Sequence, residues 1–279
     1  AYEISACLVG SEMCIRDRIK TAKLFCFHRL LVGNSMLSNK DKETYSWQLD
    51  LPGFGIYEQA ILRKSTALVS RVGGMGGAVA LSLAAAGIGK IILAHEGNLR
   101  QDDLNRQILM SGHSLNKPRV DSAYKTLKNF NHDIDVITHN ENINEDNVGR
   151  LLSDVDIAFG CAPLFKERFA LNDGCLKKGI PLIDCSMYAM EGRVIPILIN
   201  QAPCLKCIYN EPPTHWKRKF PVLAAVSSLV AQIGTIEGIK ALTNFSKPSY
   251  GSMLYIDAAQ YKIEKINLNA VCSECSTNN

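Results

Sequence analysis

The sequence has little surplus of either charge. Its 279 residues carry 31 lysines and arginines against 27 aspartates and glutamates, a net of +4, which alone argues for no nucleic-acid partner. No apolar run reaches the roughly 18 residues that a membrane helix needs, so a spanning helix is not expected and the protein reads as cytoplasmic. There is no internal repeat, low-complexity tract or flexible linker, which excludes a solenoid or a disordered chain. What remains is an ordinary apolar content of 47%, enough at this length to bury one large core or two small ones.

The start of the chain is set apart. Residues 1–18, "AYEISACLVGSEMCIRDR", match no amphipathic helix, alternating strand or signal peptide. They look like translated sequencing-adaptor sequence and are excluded from fold reasoning. Residues 19–42 read as a leader or untranslated segment, because "IKTAKLFCFHRLLVGNS" carries basic residues through a short apolar run and Met36 is a plausible true start. The organised chain is expected over residues 43–276.

From residue 67 the chain alternates in the α/β manner. "TALVS" and "KIILA" read as short buried strands around a glycine turn and an alanine-rich helix at 76–86. A helix follows in "KPRVDSAYKTLKNF", where Val120, Ala123, Tyr124, Leu127 and Phe130 recur at helical spacing. Then come strand "DVITH", a helix near "EDNVGRLL", strand "DIAFG", helix "FKERFALNDGCLKKG" and strand "PLIDCS". The fold class is therefore α/β: a Rossmann-like, mostly parallel sheet with helices on both faces. Past Gly192 an apolar run leads through a proline-rich basic loop to a helix at about 222–243, apolar over most of its circumference. Such a helix is either buried or lies at a subunit interface. Two closing strands, "SMLYID" and "YKIEKINL", share the same core.

The sequence holds ten cysteines. Cys7 and Cys14 fall in the adaptor-like start, while Cys26, Cys161, Cys175 and Cys185 are scattered among apolar neighbours and read as reduced and buried. The other four form two C-x-x-C pairs, Cys204 and Cys207 in "CLKC", Cys272 and Cys275 in "CSEC". Four thiolates make a complete tetrahedral set for structural Zn2+. The long separation is no objection, since doubling a loop costs about 0.6 kcal/mol and zinc binding releases on the order of 10 kcal/mol. A disulfide or a thioredoxin-type redox pair is the alternative.

The glycine turn "SRVGGMGG" puts Gly73, Gly74 and Gly76 where backbone can approach phosphates and the next helix offers its N-terminal N–H groups. A strand-to-helix turn without a ligand reads the same way. Arg71 stands where a G-x-G-G-x-G loop would have its first glycine. The more specific signal is "DDLNRQILM", residues 102–110. Together with "YSWQLDLPGFGIYEQAIL", "KPRVDSA", "RFALND", "PLIDCSMYAMEGRV" and the cysteine pairs, it makes the chain resemble the family of the ThiF and MoeB proteins and the ubiquitin-activating enzymes, over about residues 45–275. "IILAHEGNLRQDDLNRQ" is most similar to the HesA branch, which is associated with nitrogen fixation and molybdenum handling.

The resemblance implies a homodimer that binds ATP and Mg2+ and adenylates the C-terminal glycine of a small ubiquitin-like sulfur-carrier protein. Joining a carboxylate to AMP brings two anions together, so cations must stabilise the transition state and the leaving pyrophosphate. By resemblance Arg106 is the motif arginine, flanked by Asn105 and Gln107. The family's lysine falls at Arg119, with Lys117 two residues away. The arginine lent by a partner subunit falls at Trp47, the magnesium aspartate at Pro163, and the ribose aspartate at His95, with Glu96 beside it as a substitute. The loop His215, Lys217, Arg218 and Lys219 either replaces missing cations or is a solvated charge run. The family's acceptor thiol falls at Lys217, so a thioester step on that loop is not expected; Cys185 is the nearest other thiol.

Three functions compete: an adenylyltransferase for a Gly-Gly-ended carrier, a catalytically degenerate dimeric scaffold of molybdenum and sulfur cofactor handling, and a dinucleotide-dependent oxidoreductase. The last has no place for "DLNRQ".

Overall fold

The computed structural model describes residues 37–201, 203–209 and 219–269. The chain divides into two compact units, Ala1–Ala60 and Ile61–Asn279. The adaptor-like start and Met36 lie outside the described residues. In the first unit a short helix, Asn39–Thr44, runs across the boundary expected at residue 43 and is opened by a reciprocal cap between Ser38 and Asp41. A single turn, Ser46–Leu49, follows. The helix α1 (Ile56–Lys64) carries the chain across the division.

The second unit is built on an eight-stranded sheet: β1 (Thr66–Ser70), β2 (Lys90–Ala94), β3 (Asp135–His139), β4 (Ile157–Gly160), β5 (Leu182–Tyr188), β6 (Glu191–Ile197), β7 (Ser252–Asp257) and β8 (Lys262–Asn267). Their spatial order is β3-β2-β1-β4-β5-β6-β7-β8. The first five pair in parallel, β5 onward antiparallel. The central strands are short apolar runs because both of their faces are covered. In β1, Ala67 and Val69 join a cluster with Val79, Leu83, Phe159 and Val230, whereas Leu68 joins one with Ala170, Leu171, Leu182 and Leu205. This two-residue alternation defines the two faces.

Helices α2 (Gly74–Ala86), α3 (Arg119–Phe130) and α5 (Ala224–Thr243) lie on the first face, and α4 (Phe165–Lys178) on the second. In α3 Val120, Ala123 and Leu127 are buried as expected, but Tyr124 and Phe130 fall at the edge of the stripe and are exposed. The expected helix near residue 148 is a single turn, Val148–Leu151.

The expected zinc site is not found among the described residues, and the assignment is corrected. Among the described residues no group of three or more His, Cys, Asp or Glu comes close enough to hold a metal ion. Cys204 and Cys207 do approach each other, Sγ to Sγ 3.8 Å, on the single turn Leu205–Ile208. Two thiols are half of a tetrahedral set. The turn is anchored by other means: Asn172 Oδ1 accepts the Leu205 N–H at 3.0 Å, and Cys204 is sunk in the second apolar cluster. Cys272 and Cys275 lie outside the described residues.

Helix α5 reaches the sheet through glycines. A Cβ on Gly234 would stand 2.5 Å from Cys185 Sγ, and one on Gly238 2.3 Å from Phe159 Cζ. Because Phe159 is fully buried and has nowhere to move, Gly238→Ala is expected to cost about 1–3 kcal/mol, read as a lower urea midpoint with an unchanged slope. An unaltered midpoint would mean that α5 is not seated this closely.

Candidate active site

The sheet's order reverses at β1, which has β2 on one side and β4 on the other. Crevices at such switch points lie beyond the carboxyl ends of the strands, and here that place holds the glycine turn.

The turn is shaped by two residues. Arg71 has φ 64°, a left-handed conformation natural to the glycine that the loop pattern has there. Its N–H donates to the Ala94 carbonyl at 2.8 Å, tying the turn to β2, and its own carbonyl accepts from Gly73 N–H at 2.6 Å. A Cβ on Gly76 would stand 2.2 Å from that same carbonyl, so only glycine fits there. Holding a non-glycine residue in this region costs about 1–3 kcal/mol. The arginine side chain offsets part of it by folding onto α4, where Nε and Nη2 donate to Glu167 at 2.7 and 2.5 Å in a buried fork. Gly73 opens α2 without a side-chain cap, which leaves the first N–H groups of the helix facing the crevice.

The loop after β2 supplies the opposite wall. Asp103, in the 3-10 turn Gln101–Asp103, is 3% exposed. Its Oδ2 accepts from Arg119 Nη2 at 2.6 Å, Arg119 Nε at 3.1 Å and the Arg100 N–H at 3.0 Å, while its Oδ1 lies 3.4 Å from Arg106 Nη2. Arg106 also donates to the Asp102 carbonyl at 2.7 Å and to Asn105 Oδ1 at 2.8 Å. Two arginines are thus aimed by one buried carboxylate.

The resulting pocket, about 120 Å3, brings together Gly73, Gly74, Arg106 and Arg119 of the expected set, and adds Arg71, Asp103 and Gln107. His95 and Pro163 line it as well, at the places where the resemblance puts the family's two aspartates. Gln107 is buried, and among the described residues its Oε1 has no hydrogen-bond partner. Asp103 and Gln107 stand within the motif "DDLNRQ", Asp103 one helical turn before Arg106, so their spacing carried the signal. Ligand pockets are usually about 300–1,000 Å3. This one adjoins an apolar hollow of about 350 Å3, sharing Met75, Pro163, Met187 and Phe220 with it.

The other expected residues lie elsewhere. Gly76 supports the turn from beneath. Lys117 and Asn105 are exposed and do not line the pocket. Glu96 is turned to a separate hollow and accepts from Asn142 Nδ2 at 2.9 Å. Trp47, in the first unit, is 93% exposed. His215, Lys217 and Arg218 lie outside the described residues, and Lys219 is exposed. Hydrogen bonding with Cys161 and burial push the Cys185 thiol up, which suits a core position and not a nucleophile. Burial pulls the Arg168 guanidinium down, but Asp184, at 2.5 and 3.0 Å, outweighs it and holds the charge. The Mg2+ expectation is corrected too: Pro163 offers no side-chain donor, and Asp103, the carboxylate lining the pocket, is spent on arginines.

Fold and crevice together define a Rossmann-like protein with a phosphate-type turn at its switch point. The chain belongs to the ThiF family, whose defining pattern matches residues 45–277. It is 41% identical over 232 residues to the heterocyst HesA protein of Trichormus variabilis, covering 83% of this chain and 87% of that one. It is 30% identical over 249 residues to the adenylyltransferase and sulfurtransferase MOCS3 of Aedes aegypti, covering 87% of this chain and 57% of that protein. The crystal structure of E. coli MccB has the same fold, with a TM-score of 0.76 at 21% identity, covering 87% of this chain and 75% of that one.

Because the Gly76 Cβ would meet backbone, Gly76→Ala is expected to cost about 2 kcal/mol or more, whereas Gly73→Ala, whose nearest contact is at 3.9 Å, is expected to give the smaller loss in Tm. Equal losses would contradict the geometry of the turn.

Proposed function

We propose that the chain is an ATP-dependent adenylyltransferase acting on the C-terminal glycine carboxylate of a small ubiquitin-like sulfur-carrier protein. The observation that carries this reading is the pair Arg106 and Arg119, aimed by Asp103 across the pocket from the glycine turn. Membership of the ThiF family and similarity to a protein named an adenylyltransferase support it.

In this reading a carboxylate oxygen of the carrier attacks the α-phosphorus of ATP. The new bond joins acyl oxygen to phosphorus, the bond to the β-phosphate oxygen breaks, and pyrophosphate leaves with the electron pair. Gly73, Gly74 and the start of α2 hold phosphate oxygens through backbone N–H groups. Arg106 and Arg119 offset the charge that builds on the phosphorus and on the leaving group. The apolar hollow adjoining the pocket takes the carrier's tail, whose last residues are small and need little room.

The reading includes a homodimer. It is supported by an exposed apolar strip, Met190, Leu223, Leu229, Tyr261 and Ile263, along one end of α5 and the last hairpin. Among the described residues no helix is long and apolar enough to cross a membrane.

A second reading, a nucleotide-binding scaffold without turnover, is favoured by His95 and Pro163, which line the pocket in place of carboxylates. Exchange of labelled pyrophosphate into ATP separates the two. It is expected only with a glycine-ended carrier present, and Arg106→Ala is expected to lower kcat/KM by about a hundredfold or more. ATP binding with no exchange at high protein concentration would select the scaffold.

A further inference from the structure

The charged groups of the pocket are unevenly matched. Three arginines line it, Arg71, Arg106 and Arg119, against one lining carboxylate, Asp103, with Glu167 paired to Arg71 outside the lining. A divalent cation of the Mg2+ kind is held by oxygen donors, usually one or two carboxylates besides the phosphates. Asp103 is poorly placed to be one. Its Oδ2 takes two N–H groups of Arg119 and the Arg100 backbone, and its Oδ1 faces Arg106. To turn toward a metal it would have to release Arg119, whose side chain is 5% exposed, leaving a buried and unpaired cation. Glu167 is committed to Arg71. Pro163 has no side-chain donor atom, and an imidazole such as that of His95 suits softer metals.

Arg71 is the unusual member of the set. It occupies a left-handed position that a glycine would hold without strain, and its Nε and Nη2 hold Glu167 while Nη1 is left for another acceptor. An arginine kept at that cost, on the wall of the pocket beside Gly73, places a third planar donor group against the phosphate turn.

Building on the reading that ATP is bound here, we propose that Arg71, Arg106 and Arg119 together take the place of a metal ion on the triphosphate, so that ATP is bound in its metal-free form. A hydrated cation on the phosphates would meet guanidinium groups on the walls of the pocket and would be repelled by them.

The test is calorimetry on the full chain with a non-hydrolysable ATP analogue, once in EDTA and once in saturating Mg2+. The expected result is binding in EDTA as tight as, or tighter than, binding with the metal. Binding only with Mg2+ would overturn the proposal while leaving the adenylylation reading intact; no binding in either condition would overturn both. Arg71→Gly combined with Glu167→Gln, which removes the cation without stranding a buried carboxylate, is expected to weaken binding in EDTA by roughly tenfold or more. Unchanged affinity would remove Arg71 from the set. Should that double variant not fold, Glu167→Gln alone releases Arg71 and is expected to tighten metal-free binding; weaker binding would count against the proposal.

Discussion

The carboxylate of Asp103 is the charge around which the pocket is arranged. A buried guanidinium, Arg119, and a partly exposed one, Arg106, would repel each other; one buried anion between them compensates both. It also fixes where they point. Arg119 comes from the first turn of α3 and Arg106 from the loop after β2, elements joined also by the bridge between Asn98 and Pro118 and by the Thr126 hydroxyl, which donates to the Leu109 carbonyl at 2.8 Å. A ligand entering the pocket therefore meets donors that are already oriented, and pays little to order them.

The same pairing of buried opposite charges recurs along the second face. Arg71 with Glu167 and Arg168 with Asp184 both fasten α4 to strand ends around the crevice. Each pair offsets a local cost: a left-handed backbone at Arg71, and the burial of a charged guanidinium at Arg168, which also stacks favourably on Phe165 and Tyr209. The fold's stability rests on its apolar faces, and these pairs specify how α4 sits on them.

The α/β order was legible because β1, β2 and β4 are short apolar runs that nothing but a doubly covered strand explains, and because Gly73, Gly74 and Gly76 punctuate them. The long apolar helix was legible as buried, but not how closely it lies on the sheet, which depends on Gly234 and Gly238 facing Cys185 and Phe159 across elements far apart in sequence. Within the site, Arg106 and Arg119 were found from their motif. Asp103 is not marked out in the sequence, where it is one of two adjacent aspartates in a polar loop, and only the fold buries it. Glu96 and Lys117 were misplaced for the opposite reason: their neighbours in sequence reach the pocket, and a residue's own direction is set by the loop. Two C-x-x-C pairs suggested a metal, yet the turn at Cys204 is held by Asn172 and apolar packing.

The close approach of Ser227 to Gly74 ties the long helix to the turn. Ser82 and Gln232 add a second tie at 2.9 Å, further along α2 and α5. Helix α5 thus behaves as a strut: its inner face sets the height of the phosphate turn, and its outer face presents Leu229 and Ile236 to whatever lies outside. The height of the turn and the seating of the long helix on the sheet are in this way a single geometric variable.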